Sequence, residues 1–147
     1  MGYHLHRQIR EAVVTALTGL ATTGSRVYAN RLMPLPDTTS PALLVTLDEE
    51  TATQATVHTY PNYERDLRLS VAAVCKASSA VDSTLDQVAK EVETALAAGI
   101  TIGSRNLDVY YTGMSFEDEL SDKPVGIRRM NFSVVYFSAA NSPDVLS

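Results

Sequence analysis

From Glu64 to Cys75 the chain changes side at every step. Arg65, Leu67, Leu69, Val71, Ala73 and Cys75 share one face of an extended segment, and Glu64, Asp66, Arg68 and Ser70 share the other. A period of two over this length predicts a long strand with one face in a core. A lone strand cannot bury a face, so the chain must build a sheet and cover it. Beyond Ser70 the second face turns apolar too, at Ala72 and Val74. That end is expected to be covered on both sides, with another subunit as one candidate for the cover.

Two helical stripes supply the cover. Leu5, Ile9, Val13, Ala16, Leu17 and Leu20 recur at three- and four-residue spacing, which predicts an amphipathic helix over roughly Tyr3 to Leu20. Val81, Leu85, Val88, Val92, Ala95 and Leu96 form the stripe of a second helix, with Ser78 or Ser79 as its cap and Gly99 at its end. Between the helices, Val27 to Ala29 reads as a short strand and Pro34 and Pro36 mark a turn-rich stretch from Met33 to Asp37. Pro41 to Leu47 reads as a buried strand that Asp48-Glu49-Glu50 brings to an end. The Thr-rich segment from Thr51 to Asn62 is either a loop or a weakly paired hairpin arm. After the second helix, Asn106 to Gly113 and Gly126 to Ser138 alternate as strands, the latter with Met130, Phe132, Val134 and Tyr136 on one face. Ser115 to Val125 reads as a long hairpin loop joining them.

This order predicts an α+β domain: a mainly antiparallel sheet of about four to five strands with two amphipathic helices packed on one face. One domain is expected over residues 1–147, with a flexible C-terminal tail from about 139. Thr23-Gly24-Ser25-Arg26 and Ile102-Gly103-Ser104-Arg105 are similar, and both read as turn chemistry rather than a repeat.

Composition excludes several classes of function. Lys and Arg number 12 against 17 Asp and Glu, a net charge of −5, with no basic cluster to track phosphates. Sequence-specific DNA binding is disfavoured. The one cysteine, Cys75, has no internal partner, and no Cys/His spacing fits a zinc site. With no apolar stretch long enough for a leader or a membrane span, a cytosolic protein is expected.

Catalysis would need converging polar groups, and the candidates are His4, His6, His58 and Cys75. His4 and His6 diverge on a helix. His58 lies in the polar segment, and Cys75 continues the apolar face of the long strand as a small hydrophobe. The glycines are too dispersed for a phosphate cradle. Asp48-Glu49-Glu50 and Glu117-Asp118-Glu119 would ligate a cation only if the fold joined them. No catalytic residue, cofactor or metal is predicted, and an enzyme built on His58 and Cys75 would require both in one cleft. Aromatic and acidic loops with no chemistry to perform favour a component of an assembly.

The wording of several segments carries a family likeness: Arg7-Gln8-Ile9-Arg10-Glu11-Ala12-Val13-Val14, Gly24-Ser25-Arg26-Val27-Tyr28, Ser40-Pro41-Ala42-Leu43-Leu44-Val45, Glu64-Arg65-Asp66-Leu67-Arg68-Leu69-Ser70-Val71, Leu85 to Glu93, and Pro124-Val125-Gly126-Ile127. From about Arg7 to Phe137 the pattern resembles the tail terminator proteins of long-tailed bacteriophages. The resemblance implies a structural protein of the virion tail, assembled in the host cytoplasm. It would form a homo-oligomeric ring, typically of six subunits, on the head-proximal end of the tail tube. Such a ring stops tube growth and offers a surface to head-completion or neck proteins, while DNA passes through the lumen without specific binding. Another neck or tail-completion protein of the same virion is the alternative reading.

Loop length and charge nominate the contact residues. Phe116 and Leu120 are apolar anchors among Glu117, Asp118, Glu119 and Asp122, a set expected to meet Arg7, Arg10, Arg128 or Arg129 of a partner. Asp48, Glu49 and Glu50 are further candidates at the end of a strand.

Overall fold

The computed structural model describes residues 2–29, 41–76, 81–119 and 125–147. The first helix, α1 (Leu5–Leu17), buries Leu5, Ile9, Val13 and Leu17, one residue per turn. His4 caps it, its Nδ1 accepting from the His6 N–H at 2.9 Å. The helix stops three residues short of the expected Leu20. Thr18 is extended, and Leu20 enters a turn that bridges to Gly24. Gly24 and Gly103 both hold left-handed backbone, at φ of 55° and 62°, as turn chemistry requires of the two similar tetrapeptides.

The main sheet has five strands in the order β1-β2-β3-β7-β6. Short β1 (Val27–Ala29) runs parallel to β2 (Ala42–Gln54), and all other pairs are antiparallel. The Met33 to Asp37 turn lies outside the described residues, as do Ser78 and Ser79. At the centre, β3 (Asn62–Lys76) pairs with β7 (Val125–Ala139) over their whole lengths. The second helix, α2 (Val81–Ala97), buries Leu85, Val88, Ala89, Val92 and Leu96. Both helices lie on one face, α1 over β1 and β2 and α2 over β3, β7 and β6, and meet the sheet in one core.

Asp48-Glu49-Glu50 does not end its strand. Leu47 pairs with Leu69, Glu49 with Arg68 and Glu50 with Leu67, so a bulge absorbs Asp48 and β2 continues to Gln54. Charge stops a strand only where the face must be dry. Here Asp48 and Glu49 are exposed, while Glu50 returns to the helix side and finds polar partners. Thr51 to Gln54 is thereby the paired arm of the two alternatives.

A second difference follows α2. Ile100–Ile102 (β4) and Arg105–Leu107 (β5) form a separate two-stranded hairpin, and only Asp108 separates it from β6 (Val109–Glu119). Ile100 is buried against α1. Gly99 makes the entry, with φ of 84° and a Cβ position 2.6 Å from the Leu107 carbonyl oxygen. Gly99→Ala should therefore cost at least about 2 kcal/mol, from left-handed strain and that overlap. Thermal melting should show Tm lower by about 4–8 °C.

Ala42 and Val74 form a second small cluster on the opposite sheet face with Tyr28, Leu44, Val125 and Ile127. Ala72 and Val74 are buried already within the single chain, so the two-sided apolar end of β3 needs no second subunit to cover it. The residues after β7, expected to be loose from about 139, lie against α1 and the arm. Leu5 N–H donates to Pro143 O at 2.9 Å, Gln8 Nε2 to Asp144 O at 2.8 Å and Ala140 N–H to Pro61 O at 2.8 Å, and Leu146 packs on the core.

Candidate assembly interface

The expected loop from Ser115 to Val125 is mostly strand. Ser115 to Glu119 belong to β6 and pair with Val125 to Arg129 of β7, leaving Leu120 and Asp122 outside the described residues. The reason is cross-strand pairing: Phe116 stands directly opposite Arg128, and Glu117 lies diagonally within reach of Arg129, which itself opposes Ser115. Arg128 lies with its guanidinium 4.7 Å from the Phe116 ring centre and donates to Asp86 of α2. Arg129 Nη2 is 3.7 Å from Glu117 Oε2. Two of the four arginines expected to meet these residues from a partner, Arg128 and Arg129, are thus engaged within the same chain.

These residues occupy the outer strand of the sheet, and their apolar groups remain out. Phe116 is 67% exposed, Tyr110 55% and Tyr111 48%. Asp118 and Glu119 extend the same edge in register with Gly126 and Val125. Between β6 and α2 run two shallow grooves of about 380 and 430 Å³. The first is lined by Asp86, Lys90, Glu93, Met114 and Arg128, and the second by Glu93, Ala97, Asp108, Val109, Tyr111 and Phe132. Glu93 belongs to both, so they form one trough along the flank. Phe132 floors it and meets Tyr111 edge to face at 5.8 Å. Tyr110, Tyr111 and Glu93 were not singled out from sequence. Alternation gave the strand its faces, but nothing local states that the strand lies at an edge.

The remaining candidates separate. Arg7 and Arg10 stand on α1, Arg7 bonded to Glu11 at 2.8 Å and stacked over Tyr3 at 3.6 Å. Asp48 and Glu49 point to the sheet face away from the helices, where Asp48 accepts from Ser70 at 3.3 Å. Glu50 points the other way, into a polar cross-tie of four elements. Its Oε2 accepts from Arg65 Nη1 at 3.1 Å, and its Oε1 accepts from Tyr136 OH and from His6 Nε2, the latter at 2.9 Å. Burial raises the Glu50 carboxyl, but the hydrogen bonds from Tyr136 and His6 and the charge of Arg65 outweigh it and hold the group below its ordinary 4.5. Burial, then the neighbouring carboxylate, drives Tyr136 the other way, far above its ordinary value, so its hydroxyl stays a donor. A carboxylate with three donors on it is a structural tie and a poor base.

His58 sits in the exposed loop before β3 and Cys75 is buried at its far end. Thirteen residues of strand, about 40 Å, separate their neighbourhoods. The cleft that an enzyme built on them needs is not formed. The rings of His4 and His6, expected to diverge on a helix, instead approach to 4.0 Å because His4 is the extended cap ahead of α1; among the described residues no three His, Cys, Asp or Glu side chains gather as a metal site.

Polar groups spent on internal ties, together with aromatic groups left out along the outer strand of the described sheet, define a protein that works through contact with other chains. The family model described as Phage minor tail protein U matches residues 4–136, and the chain belongs to that family, the structural proteins of phage tails. It is a component of the virion tail. One chain of the solved structure titled "Virion of native gene transfer agent (GTA) particle" is similar at 21% identity over 90% of this chain and 91% of that chain, with a TM-score of 0.46. No curated protein matches.

Proposed function

We propose that six copies form a ring on the head-proximal end of the tail tube, where the ring stops tube polymerisation and joins the tail to head-completion proteins. What carries the reading is the placement of unlike flanks on one small domain. The β6 side bears exposed aromatics with Glu93, Asp108, Glu117, Asp118 and Glu119, and α1, over the other side of the sheet, bears Arg7 and Arg10. Different patches that complement each other across a domain make head-to-tail contacts, and these build a ring when the rotation between neighbours closes. The net charge of −5 suits a lumen through which DNA slides without sticking. The role is structural, without chemistry of its own.

Reversing Glu117, Asp118 and Glu119 together to lysine tests the flank. These positions lie at the end of the outer strand of the sheet and Glu117 is exposed there, so the variant should fold with Tm within a few degrees of the parent. Electron micrographs of tails assembled with it should show missing end rings and overlong tubes. Normal tail length and normal head joining would remove β6 from the interface.

A further inference from the structure

The β2–β3 hairpin extends past the covered part of the sheet as an arm. Thr51 and Thr53 on one face and Ala52 and Gln54 on the other are all exposed. At its tip Val57 is 89% exposed and Tyr60 61%. Two large apolar groups at the end of an arm are costly in water unless something covers them. The tip is also shaped in advance: Ala55 N–H donates to Asn62 O at 2.7 Å, Asn62 N–H to Thr56 Oγ1 at 2.8 Å and Gln54 Nε2 to Thr56 O at 2.9 Å. A preformed tip loses little entropy on docking.

We propose that this tip seats in the trough between α2 and β6 of a second copy; the inference rests on the ring reading and names one of its contacts. The larger groove, about 430 Å³, has an apolar floor of Phe132, Val109 and Ala97 and a rim carrying Glu93 and Asp108. Its chemistry complements the tip. Val57 and the Tyr60 ring match the floor, and the Tyr60 hydroxyl and the His58 ring N–H are donors for the rim carboxylates. The tip from Ala55 to Asn62 carries no acidic residue, so it meets that rim without repulsion. In the sheet order β7 stands between the arm and β6, so the two surfaces are distinct and the contact runs head to tail. Two side chains fill only part of the roughly 800 Å² that a stable interface needs per partner. The Arg7 and Arg10 flank against the acidic end of β6 would supply the rest.

Tails assembled with a benzophenone-bearing phenylalanine in place of Tyr60 test the contact, because that group captures whatever lies within a few ångströms. Irradiation should give a dimer of this chain, with the label mapped to α2 or β6 of the second copy. In parallel, Tyr60→Asp should leave Tm unchanged and weaken ring formation about thirtyfold or more, the scale of a lost anchor residue. If end rings are visible but the label maps to the tube protein, to another surface of this chain or to nothing, the arm contact is wrong and the ring stands. Tails without any ring of this protein would overturn the ring reading, and the arm contact with it.

Discussion

Glu50→Ala is expected to destabilise the folded chain by about 3–5 kcal/mol, read by urea or thermal unfolding, because it leaves Arg65 buried without its carboxylate partner. Both side chains are nearly covered, at 13% and 14% exposure, so solvent does little to screen the loss. The same variant also unties Tyr136 of β7 and His6 of α1. The parent carries a pH signature. The folded-state value of Glu50 lies below the unfolded one, so its stabilisation is complete above about pH 4.5 and disappears as the pH falls through the folded value. Glu50→Gln should flatten the acid limb of the stability curve below pH 4.5 while leaving its shape near neutrality. An acid limb unchanged in that variant would show that the tie does not govern acid unfolding.

Phe132→Ala should cost a comparable 3–5 kcal/mol, roughly 6–20 °C in Tm. Phe132 is 2% exposed at the centre of β7, and its ring supports Tyr111 from below. Truncation removes the floor of the trough along with the packing, so any folded fraction should also join rings poorly. Phe132→Leu keeps most of the volume and should cost less than about 1.5 kcal/mol. Equal effects of the two substitutions would mean that ring shape, and not core volume, is what this position supplies.

The outline of the fold was legible because each main element carries its own period. Leu5, Ile9, Val13 and Leu17 mark a helix whatever surrounds them, and Met130, Phe132, Val134 and Tyr136 mark a strand. Local signals mislead where they compete with pairing. Three consecutive acidic residues at Asp48 read as a stop, yet the long partner strand β3 keeps its ladder through a bulge and carries β2 on to Gln54. Glu117 and its neighbours read as loop for the same reason, while the ladder with Val125 to Arg129 of β7 draws them into β6. The apolar character of Ala72 and Val74 marks the second face as covered, but nothing local says that the cover comes from the same chain.

The sequence by itself determined what depends on near neighbours: two helices, the alternating strands, the left-handed turns at glycine and the α+β class. Only the tertiary structure decided which strands stand side by side, and with that which strand became the edge. Tyr110, Tyr111 and Phe116 are ordinary strand residues until β7 takes one side of β6 and, among the described residues, no strand takes the other. Glu50 is likewise one of three acidic residues until α1 brings His6, β3 brings Arg65 and β7 brings Tyr136 to it. The physical reason is the same in both cases. Helix and turn preferences act over a few residues along the chain, whereas strand order and buried polar ties join residues tens of positions apart, and only packing of the whole core selects among those pairings.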